Sequence, residues 1–80
     1  AAVVEHDTRL GNGCHIAPGA VVLGGGSVGE TSLLGSGARV LPGIRVGGRV
    51  TVGAGAVVAD DVADDTVVVG VPARPLGPRR

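Results

Sequence analysis

The chain has 80 residues with seven basic and seven acidic side chains, so it allows one domain at most and offers no net charge to attract nucleic acid or an anionic membrane. It contains no Phe, Trp or Tyr, which excludes base-stacking platforms and an aromatic core. One cysteine excludes an intramolecular disulfide and a multi-cysteine zinc site, and no apolar run approaches the roughly 20 residues of a membrane span.

A six-residue repeat runs through most of the sequence. Every sixth residue is Val, Ile or Leu at ten successive positions: Val4, Leu10, Ile16, Val22, Val28, Leu34, Val40, Val46, Val52 and Val58. The residue two places earlier is mostly small, the one between is mixed, and turn-forming pairs such as Pro18-Gly19 and Pro42-Gly43 follow. This pattern predicts short strands whose side chains point inward, outward and inward, each followed by a corner.

Such short strands favour a coil over an ordinary sheet. Three sides of six residues close a triangular turn of 18 residues, and stacked turns pair at about 4.8 Å as parallel sheets. The ten hexads from Val4 to Ala63 give a little over three turns. The predicted fold class is therefore all-β, a parallel β-helix. A helical alternative fails because a period of six does not match 3.6 and because the Gly and Pro content would break helices.

Stacking also predicts which side chains are neighbours, since residues 18 apart lie one above another. On the outer faces, His15 is expected under Leu33 and Thr51, and Val21 is expected under Arg39 and Val57. Outward-facing Leu33, Val21 and Val57 on so small a coil favour a subunit interface.

The end of the chain has a different character. Four carboxylates between positions 60 and 65 are expected to cap the last turn, and Thr66 to Val69 read as a final strand. The predicted organisation is a β-helix over residues 1–66, followed by a C-terminal strand and tail over residues 67–80, with residues 77–80 frayed.

His6 is the first candidate for acid–base chemistry. It lies in the segment Val4-Glu5-His6-Asp7, at a predicted corner and beside two carboxylates. An adjacent carboxylate can orient an imidazole and raise its basicity, which suits a general base near neutral pH. The alternative is a solvated corner histidine in a charged turn.

The remaining reactive side chains are few. His15 is outward-facing and lies half a turn after His6, so the two can share a site only through a neighbouring subunit or across a corner; otherwise His15 is a surface or interface residue. Cys14 occupies an inward small position and is expected in the core. Two histidines are too few for a three-histidine metal site, so no metal is predicted.

The hexads, the segment Gly53-Ala54-Gly55-Ala56-Val57-Val58 and the ending Val69-Gly70-Val71-Pro72-Ala73-Arg74 resemble the left-handed β-helix acyltransferases. Within them, Val3-Val4-Glu5-His6-Asp7 followed by His15-Ile16-Ala17-Pro18-Gly19-Ala20 is similar to the sugar O- and N-acetyltransferases of the NeuD/PglD type. The resemblance covers nearly the whole chain and implies a left-handed coil. Family members usually carry a preceding α/β domain that binds the sugar nucleotide, and these 80 residues are expected not to include it.

The resemblance also implies an activity and an assembly. The expected enzyme is a cytoplasmic homotrimer with sites between adjacent coils. It would take acetyl-CoA as acyl donor, without a metal, and acetylate an amine or hydroxyl of a sugar of the nucleotide-linked amino sugar or sialic acid type.

The same resemblance assigns residues. His6 would be the general base, with Asp7 as its acidic partner where a relative has Glu. His15 would contact the acetyl end of the donor. Ser36, Ala54 and Gly55 would follow the pantetheine, and Arg74 would meet the CoA phosphates. Two alternatives stay open: a non-catalytic trimeric β-helix scaffold or remnant, and an acyltransferase that acts on an amino acid or an antibiotic.

Overall fold

A computed structural model of the chain describes residues 2–76 and is all-β in that range. The strands are short, and most have two residues: β1 Val3–Val4, β2 Arg9–Leu10, β3 His15–Ile16, β4 Val21–Val22, β5 Ser27–Val28, β6 Leu33–Leu34, β7 Arg39–Val40, β8 Arg45–Val46, β9 Thr51–Val52, β10 Val57–Val58, β11 Val67–Val69 and β12 Arg74–Pro75. Over residues 2–76 the chain forms no helix that could cross a membrane.

The strands stack into three sheets, one on each side of a triangular coil. The first sheet holds β1, β4, β7 and β10, the second holds β2, β5 and β8, and the third holds β3, β6, β9, β11 and β12 in that spatial order. All neighbours pair in parallel except β11 and β12, which are antiparallel. The predicted parallel β-helix is confirmed.

The vertical neighbours are those that the repeat predicts. Val21 pairs with Arg39, which pairs with Val57, and His15 pairs with Leu33, which pairs with Thr51. Each step is 18 residues, so the period read from the sequence sets the register of every ladder in the first three turns.

The core is a single column of aliphatic side chains along the coil axis. Seven of the ten repeat positions are buried, together with the small residues that precede them; the buried apolar residues are Ala20, Val22, Val28, Leu34, Ala38, Val40, Val46, Val50, Val52, Ala56, Val58 and Val68. Small side chains alternate with larger ones because three strands converge on a narrow interior.

The first turn is less buried than the repeat alone suggests. Val4 and Leu10 occupy repeat positions but remain 41% and 42% exposed, and Ile16 is only half-buried. These side chains have a coil on one side only, so only half of their apolar surface is covered. The sequence pattern identifies which side chains point inward, whereas burying such a side chain requires a turn of the coil both above and below it.

The fourth turn departs from the 18-residue period. Val46 bridges to Val62, and Thr51 pairs with Val67, so both steps are 16 residues. An unbroken hexad frame would bring Asp64 inward, where an unpaired carboxylate is strongly disfavoured. Shortening the turn places Val62 there instead, and the coil reaches about four turns.

The acidic segment caps the end of the coil, as the sequence predicts. Asp61 Oδ1 accepts a hydrogen bond from the Arg45 backbone N–H at 2.8 Å, and Asp64 Oδ1 accepts one from Gly48 N–H at 2.8 Å. Arg49 joins them through Nε and Asp65 Oδ1 at 2.7 Å, a contact whose hydrogen bond and charge raise the pKa of Arg49. The carboxylates thereby satisfy backbone donors that have no further strand to bond.

One polar side chain is buried inside the coil. Ser32, at 1% exposure, donates its hydroxyl to the Gly47 carbonyl at 2.8 Å and accepts the Val50 N–H at 2.9 Å. Both partners are backbone groups in the next turn, so Ser32 ties two turns together from within the core.

We predict that Ser32→Ala lowers the free energy of unfolding by about 1–3 kcal/mol, because it leaves a buried donor and a buried acceptor unpaired. Denaturant unfolding at one fixed protein concentration measures the change. The control is Ser27→Ala, an outward position on β5 that is expected to stay within about 0.5 kcal/mol of the parent. Equal effects of the two substitutions would contradict the assigned role of Ser32.

Candidate active site

His6 and Asp7 form the corner that joins β1 to β2 in the first turn. His6 Nδ1 lies 3.1 Å from Asp7 Oδ2, and the two side chains are 95% and 84% exposed. The pair that the sequence singles out is therefore in contact within the chain, at a place open to a second molecule.

The backbone at Asp7 is unusual for a residue with a side chain. Asp7 has φ 64°, the left-handed conformation that Gly25 and Gly43 adopt at the same corner one and two turns later. Asp tolerates this region better than most residues, but glycine is the less strained choice. Thr31, Arg49 and Asp65 also adopt positive φ, so what distinguishes Asp7 is the contact of its carboxylate with His6.

The contact with Asp7 also sets the role of the imidazole. When Nδ1 carries the proton and donates it to the carboxylate, Nε2 keeps a free lone pair and can accept a proton. In that tautomer the unprotonated nitrogen of His6 is the one that faces away from Asp7.

Two further contacts hold the same corner. Thr8 Oγ1 donates to the Glu5 carbonyl at 2.6 Å, and Glu5 Oε1 accepts the Gly24 N–H of the next turn at 2.8 Å. Sequence reasoning treats Glu5 only as a charged neighbour of His6. The contact could have been predicted from a carboxylate next to the histidine together with a glycine 18 residues after that histidine, because the glycine N–H can approach the carboxylate.

His15 lies on the third sheet and is exposed. It belongs to the same turn as His6 but to a different side of the triangle, so the structure does not bring the two histidines together within one chain. Its outward neighbours along the ladder are Leu33 and Thr51.

Ser36, Ala54 and Gly55 lie together at a different corner, between the third and first sheets. Gly55 N–H donates to the Ser36 carbonyl at 2.9 Å, and all three residues are exposed. The first sheet separates them from the His6 corner. These residues form a stacked track, as expected, but not beside His6 of the same chain.

Arg74 lies at the other end of the coil from His6. It is exposed on β12, pairs with Val69, and lines a cavity of about 310 Å³ together with Asp60 and Asp61. A phosphate there would meet two carboxylates as well as one guanidinium. Within residues 2–76, no group of three His, Cys, Asp or Glu side chains could hold a metal ion.

Comparison with known proteins gives no match to any protein-family model or curated sequence, but clear matches among solved structures. PerB from Caulobacter crescentus, solved with CoA and GDP-perosamine, superposes with a TM-score of 0.94 at 51% identity over 95% of this chain. The acetyltransferase domain of PglB from Neisseria gonorrhoeae, also solved with acetyl coenzyme A, gives 0.78 at 32% identity over 94%. Serine acetyltransferase from N. gonorrhoeae gives 0.72 at 30% identity over 94%.

The chain spans 37%, 48% and 40% of the length of these three proteins, respectively. Its regular six-residue repeat and parallel coil are the shared part, and the matches confirm that the coil is left-handed. The chain belongs to the left-handed β-helix acetyltransferases built from hexapeptide repeats, and among them it fits the sugar acetyltransferases of the NeuD/PglD type.

Proposed function

We propose that this coil is the catalytic part of an acetyl-CoA-dependent sugar acetyltransferase. The observation that carries the proposal is the His6–Asp7 corner, with Nδ1 and Oδ2 at 3.1 Å. The likeness to PerB, solved with CoA and GDP-perosamine, favours a nucleotide-linked amino sugar as acceptor.

The chemistry needs a base and a positioned thioester. As the sugar nitrogen or oxygen attacks the thioester carbonyl, the new C–N or C–O bond forms and His6 Nε2 takes the proton that the nucleophile loses. The tetrahedral intermediate then collapses, the C–S bond breaks, and the CoA thiolate leaves and recovers the proton from His6. Asp7 holds the imidazole in the required tautomer and stabilises its charged form. No acyl-enzyme forms, so no nucleophilic side chain is required.

The site is incomplete in one chain, which supports the expected homotrimer. His6 is 95% exposed, whereas acyl transfer gains from a site that excludes water. Two outer faces of the coil carry most of its outward apolar side chains. The first sheet presents Val3, Val21 and Val57 with Arg39 between the last two, and the third presents Leu33 and Val67 beside His15 and Thr51. The second sheet presents Arg9, Ser27 and Arg45, which suits water. When the first sheet of each copy packs against the third sheet of the next copy, the copies close a ring.

This arrangement gives His15 a role. His6 and His15 belong to the same turn, and rotation about an axis parallel to the coil leaves their heights unchanged. His15 of the partner subunit can therefore lie level with His6 across the cleft and contact the acetyl end of the donor. The corner that holds Ser36, Ala54 and Gly55 lies between the two packed faces, so in this ring it would point to the axis and away from the His6 cleft. Arg74 would meet the CoA phosphates in a later turn.

A second candidate is acetylation of an amino acid, favoured by the likeness to serine acetyltransferase at 30% identity. The two activities share the donor and the base and differ only in the acceptor. A non-catalytic coil is the third possibility, and titration calorimetry with CoA separates it from both enzymes, since a scaffold gives no saturable heat.

We predict that His6→Ala lowers acetyl transfer to a nucleotide-linked amino sugar by about 10²–10⁴-fold, the usual contribution of a general base. Mass spectrometry of the acetylated sugar measures the rate, with serine as competing acceptor. Asp7→Asn should give a smaller loss, because the imidazole remains but its orienting charge is gone. Unchanged turnover in His6→Ala would remove the base assignment.

We also predict that Leu33→Glu converts the proposed trimer to monomers and abolishes transfer. The substitution places a charge on the outer face of the third sheet, at a side chain that is 40% exposed in the single chain. Light scattering measures the mass, and circular dichroism checks the coil. Ser27→Glu is the matched control in the same turn, on the polar second sheet. A Leu33→Glu protein of parent mass would argue against this interface.

A further inference from the structure

We propose that Glu5 is a positioning residue for the base: it fixes the His6 corner by tying it to the backbone of the turn above. The proposal rests on the proposed function of His6. It concerns how the imidazole is held rather than which molecule it acts on.

The geometry of the tie is specific. Glu5 Oε1 accepts the Gly24 N–H at 2.8 Å, and Gly24 is the residue stacked on His6, 18 positions later. A Cβ built on Gly24 would lie 3.5 Å from Glu5 Oε1 and 3.9 Å from the His6 carbonyl oxygen. The carboxylate thus spans from the residue before the base to the residue directly above it.

Between the second and third turns, the same corner and the Ser36 corner are tied differently. Gly43 N–H donates to the Gly24 carbonyl at 3.1 Å, and Gly55 N–H donates to the Ser36 carbonyl at 2.9 Å. Those ties join backbone to backbone between stacked turns. At the His6 corner the tie uses a side chain, so its presence depends on one residue that substitution can remove.

The need for a tie follows from the state of this corner. Asp7 adopts a left-handed φ of 64°, and its side chain is 84% exposed, so packing does not hold it in place. Thr8 Oγ1 closes the corner onto the Glu5 carbonyl at 2.6 Å, and the Glu5 side chain anchors it to Gly24. Together these bonds hold the strained conformation that keeps the Asp7 carboxylate beside Nδ1.

The tie needs an acceptor oxygen and no charge. A glutamine can accept the same N–H, whereas alanine cannot. Glu5→Gln therefore should keep the site, and Glu5→Ala should lose it. If Glu5 acted through its charge on the imidazole, the two variants would be impaired alike.

The donor can be removed independently. Pro42 occupies the corner position one turn above Gly24 and is likewise followed by a left-handed glycine, Gly43. Gly24→Pro therefore fits the backbone pattern of this corner; it deletes the N–H that Glu5 accepts and puts ring carbons beside the Glu5 carboxylate.

The experiment compares Glu5→Ala, Glu5→Gln, Gly24→Pro and the Glu5→Ala/Gly24→Pro double variant. We expect kcat to fall about 10- to 100-fold in Glu5→Ala and in Gly24→Pro, with KM for acetyl-CoA unchanged, since a small misplacement of a catalytic group costs up to that much. Glu5→Gln should retain parent kcat, and the double variant should be no worse than either single variant.

Asp64→Ala is the structural control. It removes a carboxylate tie of the same kind, to Gly48 N–H at 2.8 Å, at the other end of the coil. It should lower the thermal midpoint as Glu5→Ala does but leave kcat at the parent value. Parent kcat in Glu5→Ala, or equal losses in Glu5→Ala and Glu5→Gln, would overturn the proposal.

A second readout does not depend on turnover. Long-range proton–nitrogen NMR reports the fraction of neutral His6 with the proton on Nδ1, which should fall in Glu5→Ala and Gly24→Pro and persist in Glu5→Gln. An unchanged tautomer fraction in Glu5→Ala overturns the role of Glu5. Absence of acetyl transfer by the parent protein would instead defeat the proposed function, while the tautomer still decides the question of Glu5.

Discussion

The fold depends on one constraint: the backbone must turn a corner every six residues while keeping an aliphatic side chain inward. Three sides then close a turn, and the hydrogen bonds of each strand run to the turns above and below it. The corners meet the constraint through left-handed φ at six-residue intervals, which glycine supplies at most of them. The interior meets it through a narrow column of Val, Leu and Ala, with Ser32 as a hydrogen-bonded exception.

Because the corners of the six-residue repeat are regular, a corner residue that departs from the pattern is a candidate for a functional role. Among the left-handed corner residues, Asp7 is a non-glycine residue at a corner where the next two turns use Gly25 and Gly43. Its carboxylate contacts His6, and neither residue contributes to the core. The left-handed backbone thus costs conformational free energy at Asp7, the residue whose carboxylate contacts the imidazole. Thr31, Arg49 and Asp65 are left-handed too. Arg49 and Asp65 lie within an ion-pair cluster that secures the last turn, and Thr31 Oγ1 donates to the Glu30 carbonyl at 2.8 Å.

Much of this could be read from the sequence, for a physical reason. The six-residue period fixes strand positions, inward residues and vertical pairs such as His15 with Leu33, because a closed coil leaves no freedom of register. The period could not reveal the shorter fourth turn, since this depends on keeping Asp64 out of the interior. It also could not reveal that Val4 and Leu10 stay exposed, because burial depends on what lies beyond the turn.

The candidate site could be predicted from the sequence only in part. The neighbouring pair His6 and Asp7 is local, so the sequence places it correctly at a corner. The tie from Glu5 to Gly24 joins residues 19 apart through a side-chain rotamer, which periodicity does not specify. The separation of His6 from Ser36 and Ala54 by the first sheet shows that one chain does not gather all of the assigned residues.

A crystal structure of the protein with CoA bound tests the central claim most directly. The account predicts CoA in a cleft between two coils, with its sulfur within about 3–4 Å of His6 Nε2, close enough for a proton to pass between them. CoA bound on a single chain away from the His6 corner, or His6 facing bulk water in the complex, would contradict it.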